Sequence, residues 1–309
     1  MRLTAILFGG EGSNLFELRR PDGGAVPPFT AGAHVDLHLP NGLVRQYSIA
    51  NAPDERDRYL LGVKREDPGR GGSRFLHDAV KVGAILKVDG PRNNFPLVEA
   101  APTSIFVAGG IGITPIRSMI HRAQAIGQDW QLHYAVRRRA EAVFAADLLA
   151  LGDRVALHVD EERGGKLLDL PAVVGTAAGT AHLYCCGPAP MMAAFKEAAA
   201  AIPAERVHLE YFTSDAAPAT QGGFVVELAQ SGQRVPVPPG TTILEALRAA
   251  GVRVQAACEQ GICGTCETRV LQGTPEHRDM ILSDEEKAAG RTMMVCCSGS
   301  LSEVLVLDL

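Results

Sequence analysis

"CEQGICGTC", residues 258–266, brings three thiols, Cys258, Cys263 and Cys266, into one short loop, and an adjacent pair, Cys296 and Cys297, follows further along the chain. The spacing is Cys-x4-Cys-x2-Cys, the plant-type ligand spacing of a 2Fe-2S cluster, in which four thiolates share two irons. The inorganic sulfides of such a cluster need N–H donors, so the chain has to wrap closely. Gly261 and Gly264 let the backbone approach with no side chain in the way. Zinc is the alternative, although structural zinc sites pair two short Cys-x2–4-Cys units, whereas here one group of three is completed by a distant single residue. The residues alone leave Cys296 and Cys297 both open as that fourth ligand.

What the loop is joined to decides between these readings. The chain has 309 residues, enough for two or three domains with cores of their own. A hydrophobic share of 46% fits a soluble globular protein, and a formal net charge of −5 implies no general affinity for nucleic acid or anionic membrane. No apolar run is long enough for a transmembrane helix, and the start, "MRLTAILFGGEG", has neither a long apolar stretch nor a small-residue cleavage site. A cytoplasmic protein is expected. Seven cysteines, four of them in the adjacent pairs Cys185-Cys186 and Cys296-Cys297, make a poor disulfide framework and favour metal or redox chemistry.

Upstream of the loop the chain changes rhythm twice. In residues 1–100, "HVDLHLP" (34–40), "LVRQYSIAN" (43–51) and "RYLLGVKRE" (58–66) read as short strands between Gly, Pro and Asn turns, the pattern of a small antiparallel barrel. One helix candidate, "SRFLHDAV" (73–80), has Ser73 as its expected N-cap. Residues 101–215 alternate strands such as "SIFVAGG", "WQLHYAV" and "AHLYCCG" with helices such as "PIRSMIHRAQAIG" and "PMMAAFKEAAAA", which indicates a doubly wound parallel sheet. Residues 216–223 read as a linker. Residues 224–309 then offer a hairpin, a short helix "TILEALRAAG" with Gly251 at its C-cap, the cysteine loop and a closing strand "VLVLDL". This last segment holds seven Lys/Arg against eleven Asp/Glu, a balance of −4, so nearly all the net charge lies in it.

Two further motifs carry chemistry. "FVAGGIGITPIRSM" (106–119) runs from an apolar strand into a helix through Gly109, Gly110 and Gly112, with Thr114 placed as N-cap and Pro115 as first helical residue. Such a turn offers free N–H groups to a pyrophosphate, although its spacing is not Gly-x-Gly-x-x-Gly. "CCGPAPMM" (185–192) ends a strand at the carboxyl edge of the same sheet, with Cys185 a small apolar filler. In "RQYS" (45–48), Arg45 and Tyr47 share one strand face, an aromatic ring for a flavin and a guanidinium for its phosphate. "GRGGS" (69–73) leads into a helix start and suits that phosphate.

Taken in order, Arg-x-Tyr-Ser, Gly-Gly-x-Gly-Ile-Thr-Pro, Cys-Gly-Pro and the C-terminal Cys-x4-Cys-x2-Cys, with "GPRNNFPL" (90–97) between the first two, resemble the phthalate dioxygenase reductase family over essentially the whole chain. That family includes vanillate demethylase reductases and belongs with ferredoxin–NADP reductase. The resemblance implies an FMN-binding β-barrel (1–100), an NAD-binding α/β domain (101–215), a linker (216–223) and a plant-type 2Fe-2S ferredoxin domain of α+β β-grasp type (224–309). It implies that Arg45, Tyr47 and Ser48 bind flavin, with backbone contacts from Val63 and Lys64, and that Gly72 and Ser73 hold the flavin phosphate. Gly110, Gly112, Thr114 and Cys186 would line the nicotinamide nucleotide site. Ser48, Cys186, Glu210 and Phe212 would stand where the redox groups meet. The family's pattern of Cys, small apolar residue, Ser selects Cys296 beside Cys258, Cys263 and Cys266, with Cys297 in the apolar slot.

The implied activity is electron transfer: a hydride passes from NADH to FMN, and single electrons leave through the cluster to a Rieske-type oxygenase. "RRRAE" (137–141) departs from the more usual single arginine at that turn, and the added charge suits a 2′-phosphate, so NADPH stays open. Two other functions also fit the residues: a stand-alone NAD(P)H:acceptor reductase, and a nucleotide-sensing binding protein stabilised by zinc.

Overall fold

The computed structural model describes every residue except 68, 69, 178 and 215, so the first glycine of "GRGGS" lies outside the described residues. Two compact units emerge, Met1–Phe212 and Thr213–Leu309.

The first unit opens with strands β1 (Arg2–Gly10), β2 (Ser13–Arg19), β3 (His34–His38), β4 (Val44–Ser48), β5 (Tyr59–Lys64) and β6 (Lys87–Arg92). They form two antiparallel three-stranded sheets, ordered β1-β2-β5 and β4-β3-β6. Single bridges from Ile49 to Leu61 and from Arg2 to Ile85 draw these into the expected barrel, filled by Phe16, Leu18, Val35, Leu37, Leu61 and Val63. The alternation of β1 is hard to see in the sequence because the register shifts between Leu3 and Ala5 and again between Phe8 and Gly10. Helix α1 (Gly72–Asp78) starts two residues earlier than a Ser73 cap would place it. Its N-cap is Gly71, left-handed at φ 80, and Ser73 lies inside the first turn, its hydroxyl accepting from the Glu66 N–H at 3.1 Å.

The nucleotide half alternates β7 (Thr103–Gly109), α2 (Ile113–Ile126), β8 (Asp129–Val136), α3 (Ala145–Leu149), β9 (Val155–Val159), α4 (Leu170–Gly175), β10 (His182–Cys186), α5 (Ala189–Ala198) and β11 (Val207–Glu210). The sheet is wholly parallel in the order β11-β10-β7-β8-β9, and its direction reverses between β7 and β10. That reversal is the switch point at which open α/β sheets take ligands. The turn into α2 is tighter than expected. A 3-10 turn, Gly110–Gly112, precedes the helix, so Gly112 takes the cap position, and Thr114 sits within the helix donating its hydroxyl to the Ile111 carbonyl at 3.0 Å. Leu15 and Leu60 of the barrel share one core with Phe95, Ile113, Trp130 and Tyr184, which is why the two halves form one unit.

The second unit comprises β12 (Phe224–Leu228), β13 (Arg234–Val237), α6 (Ile243–Ala249), β14 (Glu267–Gln272), β15 (Pro275–Glu276), α7 (Asp284–Ala289), β16 (Thr292–Met294), β17 (Gly299–Ser300) and β18 (Val304–Leu307). Its main sheet runs β13-β12-β18-β14-β16, with β12 and β18 parallel and the other pairs antiparallel. A capping box between Thr242 and Glu245 starts α6, which buries Ile243, Leu244 and Leu247 in the core of this α+β unit. Ala250 is the C-cap, and Gly251, at φ 79, stands one residue beyond it. The expected linker is partly docked on this unit: Ala219 N–H donates to the Cys297 carbonyl at 2.7 Å, and Gly240 N–H to that of Thr220 at 2.7 Å. Among the described residues no helix is long and apolar enough to cross a membrane.

Candidate cofactor sites

The cysteine loop folds as its glycines require. Gly261 and Gly264 are left-handed, at φ 70 and 75. A Cβ added at Gly261 would lie 2.5 Å from the Cys297 Sγ and 2.9 Å from the Asp279 Cα, so no other residue fits there. Cys258, Cys263, Cys266, Cys296 and Cys297 are all buried, and none forms a disulfide. Four thiols meet in linked pairs. Cys258 accepts from Cys263 and Cys296 and is held far below the ordinary thiol range, while those two donors are pushed up. Cys266 accepts from Cys296 and is also lowered. N–H groups point at the sulfurs, Gln260 to Cys258 at 3.4 Å and Thr265 to Cys263 at 3.5 Å. Cys297 Sγ bonds with Cys296 and also faces the Met294 carbonyl at 3.7 Å and the Ser298 hydroxyl at 3.9 Å. Among the described residues no group of three or more His, Cys, Asp or Glu forms a single-ion site. Pairwise thiols and inward N–H groups suit two irons, each needing two thiolates, with sulfides that accept hydrogen bonds.

In the first unit, β4 presents Arg45 and Tyr47 half-buried and Ser48 buried. Arg45 lies across the start of α1. Its Nη2 donates to the Arg70 carbonyl at 3.0 Å, and a Cβ on Gly72 would fall 2.5 Å from the Arg45 Cγ. Gly72 is therefore the residue that lets the guanidinium reach the helix start, a cradle of donors fit for a phosphate. Burial pushes the Tyr47 phenol up, so it stays neutral. Val63 and Lys64 close β5, and the Val63 carbonyl already meets His77 Nε2 at 2.9 Å.

The switch point brings the remaining expected residues together. Gly112 packs on the end of β10, where a Cβ would lie 2.2 Å from the Cys186 carbonyl oxygen. Cys186 is fully buried, its Sγ 4.0 Å from Glu210 Oε2, and burial and that carboxyl push its thiol well above the ordinary range. Glu210, at the end of β11, is half-exposed by area, yet desolvation pushes its pKa up to about 8, countered by a hydrogen bond from Ser48. Ser48, Glu210 and Cys186 thus converge from three strands. Phe212, two residues beyond β11, is exposed.

Three family models match the chain in the same order: an oxidoreductase FAD-binding domain over residues 10–96, an oxidoreductase NAD-binding domain over 106–197 and a 2Fe-2S iron-sulfur cluster binding domain over 226–299. A solved structure of phthalate dioxygenase reductase matches with a TM-score of 0.75 at 38% identity, covering 100% of this chain and 97% of that one. Phenoxybenzoate dioxygenase subunit beta of Ectopseudomonas oleovorans is 53% identical over 309 residues, 100% of this chain and 97% of the relative. Tetrachlorobenzoquinone reductase of Sphingobium chlorophenolicum is 47% identical over 315 residues, with the same coverage. The chain belongs to the phthalate dioxygenase reductase family.

As a member of the phthalate dioxygenase reductase family it is an oxidoreductase with a flavin domain, a nicotinamide nucleotide domain and a 2Fe-2S domain, and the zinc-stabilised binding protein is set aside. The family alone does not show what its arginine turn does. Arg138 pairs with Glu141 at 2.8 Å and Glu11 at 2.9 Å, and Arg139 holds Glu162 through two bonds at 2.6 and 2.7 Å. Both guanidiniums are thus already matched by carboxylates. Gly62 was missed in the sequence. A Cβ there would lie 2.6 Å from the Thr114 Cγ2, so this glycine lets the nucleotide turn seat on the barrel. A glycine inside an otherwise apolar strand is the available signal for such an approach.

Proposed function

We propose that this family member is the cytoplasmic reductase component of a Rieske-type oxygenase, drawing a hydride from NADH onto FMN and delivering single electrons through its 2Fe-2S cluster. The observation that carries this reading is the order of three redox domains in a chain 53% identical to a protein named as a dioxygenase subunit. A flavin accepts two electrons together and releases them one at a time, which matches a two-electron donor to a one-electron cluster.

The chain's own residues would bind, orient and shield. Arg45, Gly72 and Ser73 would hold the flavin phosphate, and Tyr47 would cover the ring, with Val63 and Lys64 supplying backbone contacts. The choice of FMN over FAD rests on the family resemblance. Gly110, Gly112 and Thr114 would seat the dinucleotide and Cys186 its nicotinamide. Ser48 and Glu210 would supply hydrogen bonds at the reacting rings. Cys258, Cys263, Cys266 and Cys296 would ligate the cluster.

A second reading has its own support. A relative at 47% identity is named as a tetrachlorobenzoquinone reductase, which makes a small organic acceptor the alternative to the oxygenase. Anaerobic titration separates donor from acceptor. NADH is expected to bleach flavin and cluster absorption, with kcat/KM well above that of NADPH, as the family resemblance implies. Arg138 and Arg139 are engaged by carboxylates, and of the three arginines the exposed Arg137 is the one left for a 2′-phosphate. Preference for NADPH would refute that choice of donor, and failure of both nucleotides to bleach the flavin would refute the function.

Docking to an oxygenase is expected to depend on salt. Most of the net charge lies in residues 224–309. Several of those carboxylates are engaged. Glu259 pairs with Arg248 at 2.8 Å, Glu245 and Glu286 close capping boxes, and Asp279 is buried. Glu267, Asp284, Glu285 and Glu303 remain as exposed carboxylates, with Asp308 bonded to Gln230. Raising ionic strength from about 0.02 to about 0.3 M should slow transfer to the oxygenase several-fold, and flavin reduction by NADH far less. A partner rate indifferent to salt would end this docking model and leave the reductase assignment standing.

A further inference from the structure

We infer that Arg117 is a positioning residue for hydride transfer, locking the nucleotide-binding turn to the flavin-facing strand. The inference rests on the functional reading above, in which Ser48 faces the flavin and Gly110 to Thr114 seat the nucleotide.

Arg117 stands one helical turn after Thr114 on α2, with its side chain only 14% exposed. Nη1 donates to the Ala50 carbonyl at 2.8 Å, and Nη2 lies 3.4 Å from Asp147 Oδ2. The guanidinium carbon sits 4.4 Å from the centre of the Phe144 ring. Phe144 is one of only two non-glycine residues at positive φ among the described residues, at φ 61, so the chain is bent out of its way to present that ring. Ala50 is fully buried and lies two residues beyond Ser48. Its N–H donates to the Leu60 carbonyl of β5 at 2.8 Å, and its own carbonyl is the group that Arg117 reaches.

The consequence is geometric. Helix α2 touches the barrel twice within one turn, through Thr114 against Gly62 and through Arg117 at Ala50. The first contact sets how closely the two halves approach. The second is directional, because a planar guanidinium fixes both distance and angle to a carbonyl. Packing alone does not call for a cation here, since a buried charge is costly and an apolar side chain of similar length fills the same space. Burial indeed lowers the pKa of Arg117, although an arginine remains charged. What the guanidinium adds is orientation of the nucleotide turn relative to β4, where hydride donor and acceptor have to meet. Arg117 touches neither; it acts through the elements it joins.

Anaerobic stopped-flow reduction by NADH tests this on the full chain with both cofactors. Arg117→Met keeps length and apolar cover and removes the bonds. Its limiting rate of flavin bleaching should fall on the order of tenfold, because small misplacements of reacting atoms are costly, while the apparent Kd for NADH stays near the wild-type value. Arg117→Lys, which keeps the buried charge and one donor, should restore part of the rate, and it carries the test if the methionine variant fails to fold. Flavin and cluster spectra report whether each variant is loaded. A loaded variant of either kind that bleaches at the wild-type limiting rate overturns the inference. Loss expressed wholly as weaker NADH binding overturns it as well. A wild-type flavin that NADH does not reduce would instead overturn the functional reading beneath it.

Discussion

Cys296→Ser is expected to abolish the visible absorption of the cluster and the reduction of one-electron acceptors such as cytochrome c, whereas Cys297→Ser retains both. The two thiols are neighbours in sequence and both are buried, yet they face different partners. Cys296 bonds with Cys258 and Cys266 as well as with its neighbour Cys297, while Cys297 has the Met294 carbonyl and the Ser298 hydroxyl as its other partners. A serine at 296 replaces a thiolate by a hydroxyl that does not ionise near neutral pH, and ligands must be deprotonated to bind. The loss should exceed the ~10–100-fold that even outer partners of a metal site cost. Serine at 297 is nearly isosteric and can keep the contact with Met294. The opposite outcome, with the cluster lost on changing Cys297 and kept on changing Cys296, would reverse the assignment.

A chain ending at Phe212 is expected to keep its flavin and reduce ferricyanide with NADH at close to the full-length rate. It should lose cytochrome c reduction and all support of an oxygenase. The cut falls between the two compact units. Unit one keeps its own cores, those around Phe106 and Trp130, Phe16 and Leu37, and Leu183 and Phe195. Ser48, Cys186 and Glu210 all stay within it. Ferricyanide accepts electrons from an exposed flavin, so it reports the hydride step alone. Cytochrome c and an oxygenase need the cluster that the cut removes. Normal oxygenase turnover by the shortened chain would mean that the cluster is not the exit for electrons.

Much of this architecture is legible along the chain because it is local. The spacing of Cys258, Cys263 and Cys266 is a property of one loop, and two left-handed glycines let it close. The alternation that marks β7 to β10 and the capping box at Ser283 are likewise set by near neighbours. Even there, two glycines outranked the expected caps. Ser73 and Thr114 are good cap residues, but Gly71 and Gly112 occupy the cap positions. At Gly71 the backbone is left-handed, and at Gly112 the Cys186 carbonyl leaves no room for a side chain.

The sequence by itself determined the order of the domains, the Cys-x4-Cys-x2-Cys spacing and the glycines that let its loop close, because each follows from near neighbours in the chain. Only the tertiary structure shows the different surroundings of Cys296 and Cys297, the first against Cys258 and Cys266 and the second against the Met294 carbonyl and the Ser298 hydroxyl, a contrast that the serine substitutions test. It also matched Arg138 and Arg139 to Glu11, Glu141 and Glu162, carboxylates supplied partly from other elements of the first unit. And it brought Ser48, Cys186 and Glu210 together from β4, β10 and β11. Strand pairing sets such meetings across long stretches of chain, where no local pattern of residues records which ends will touch.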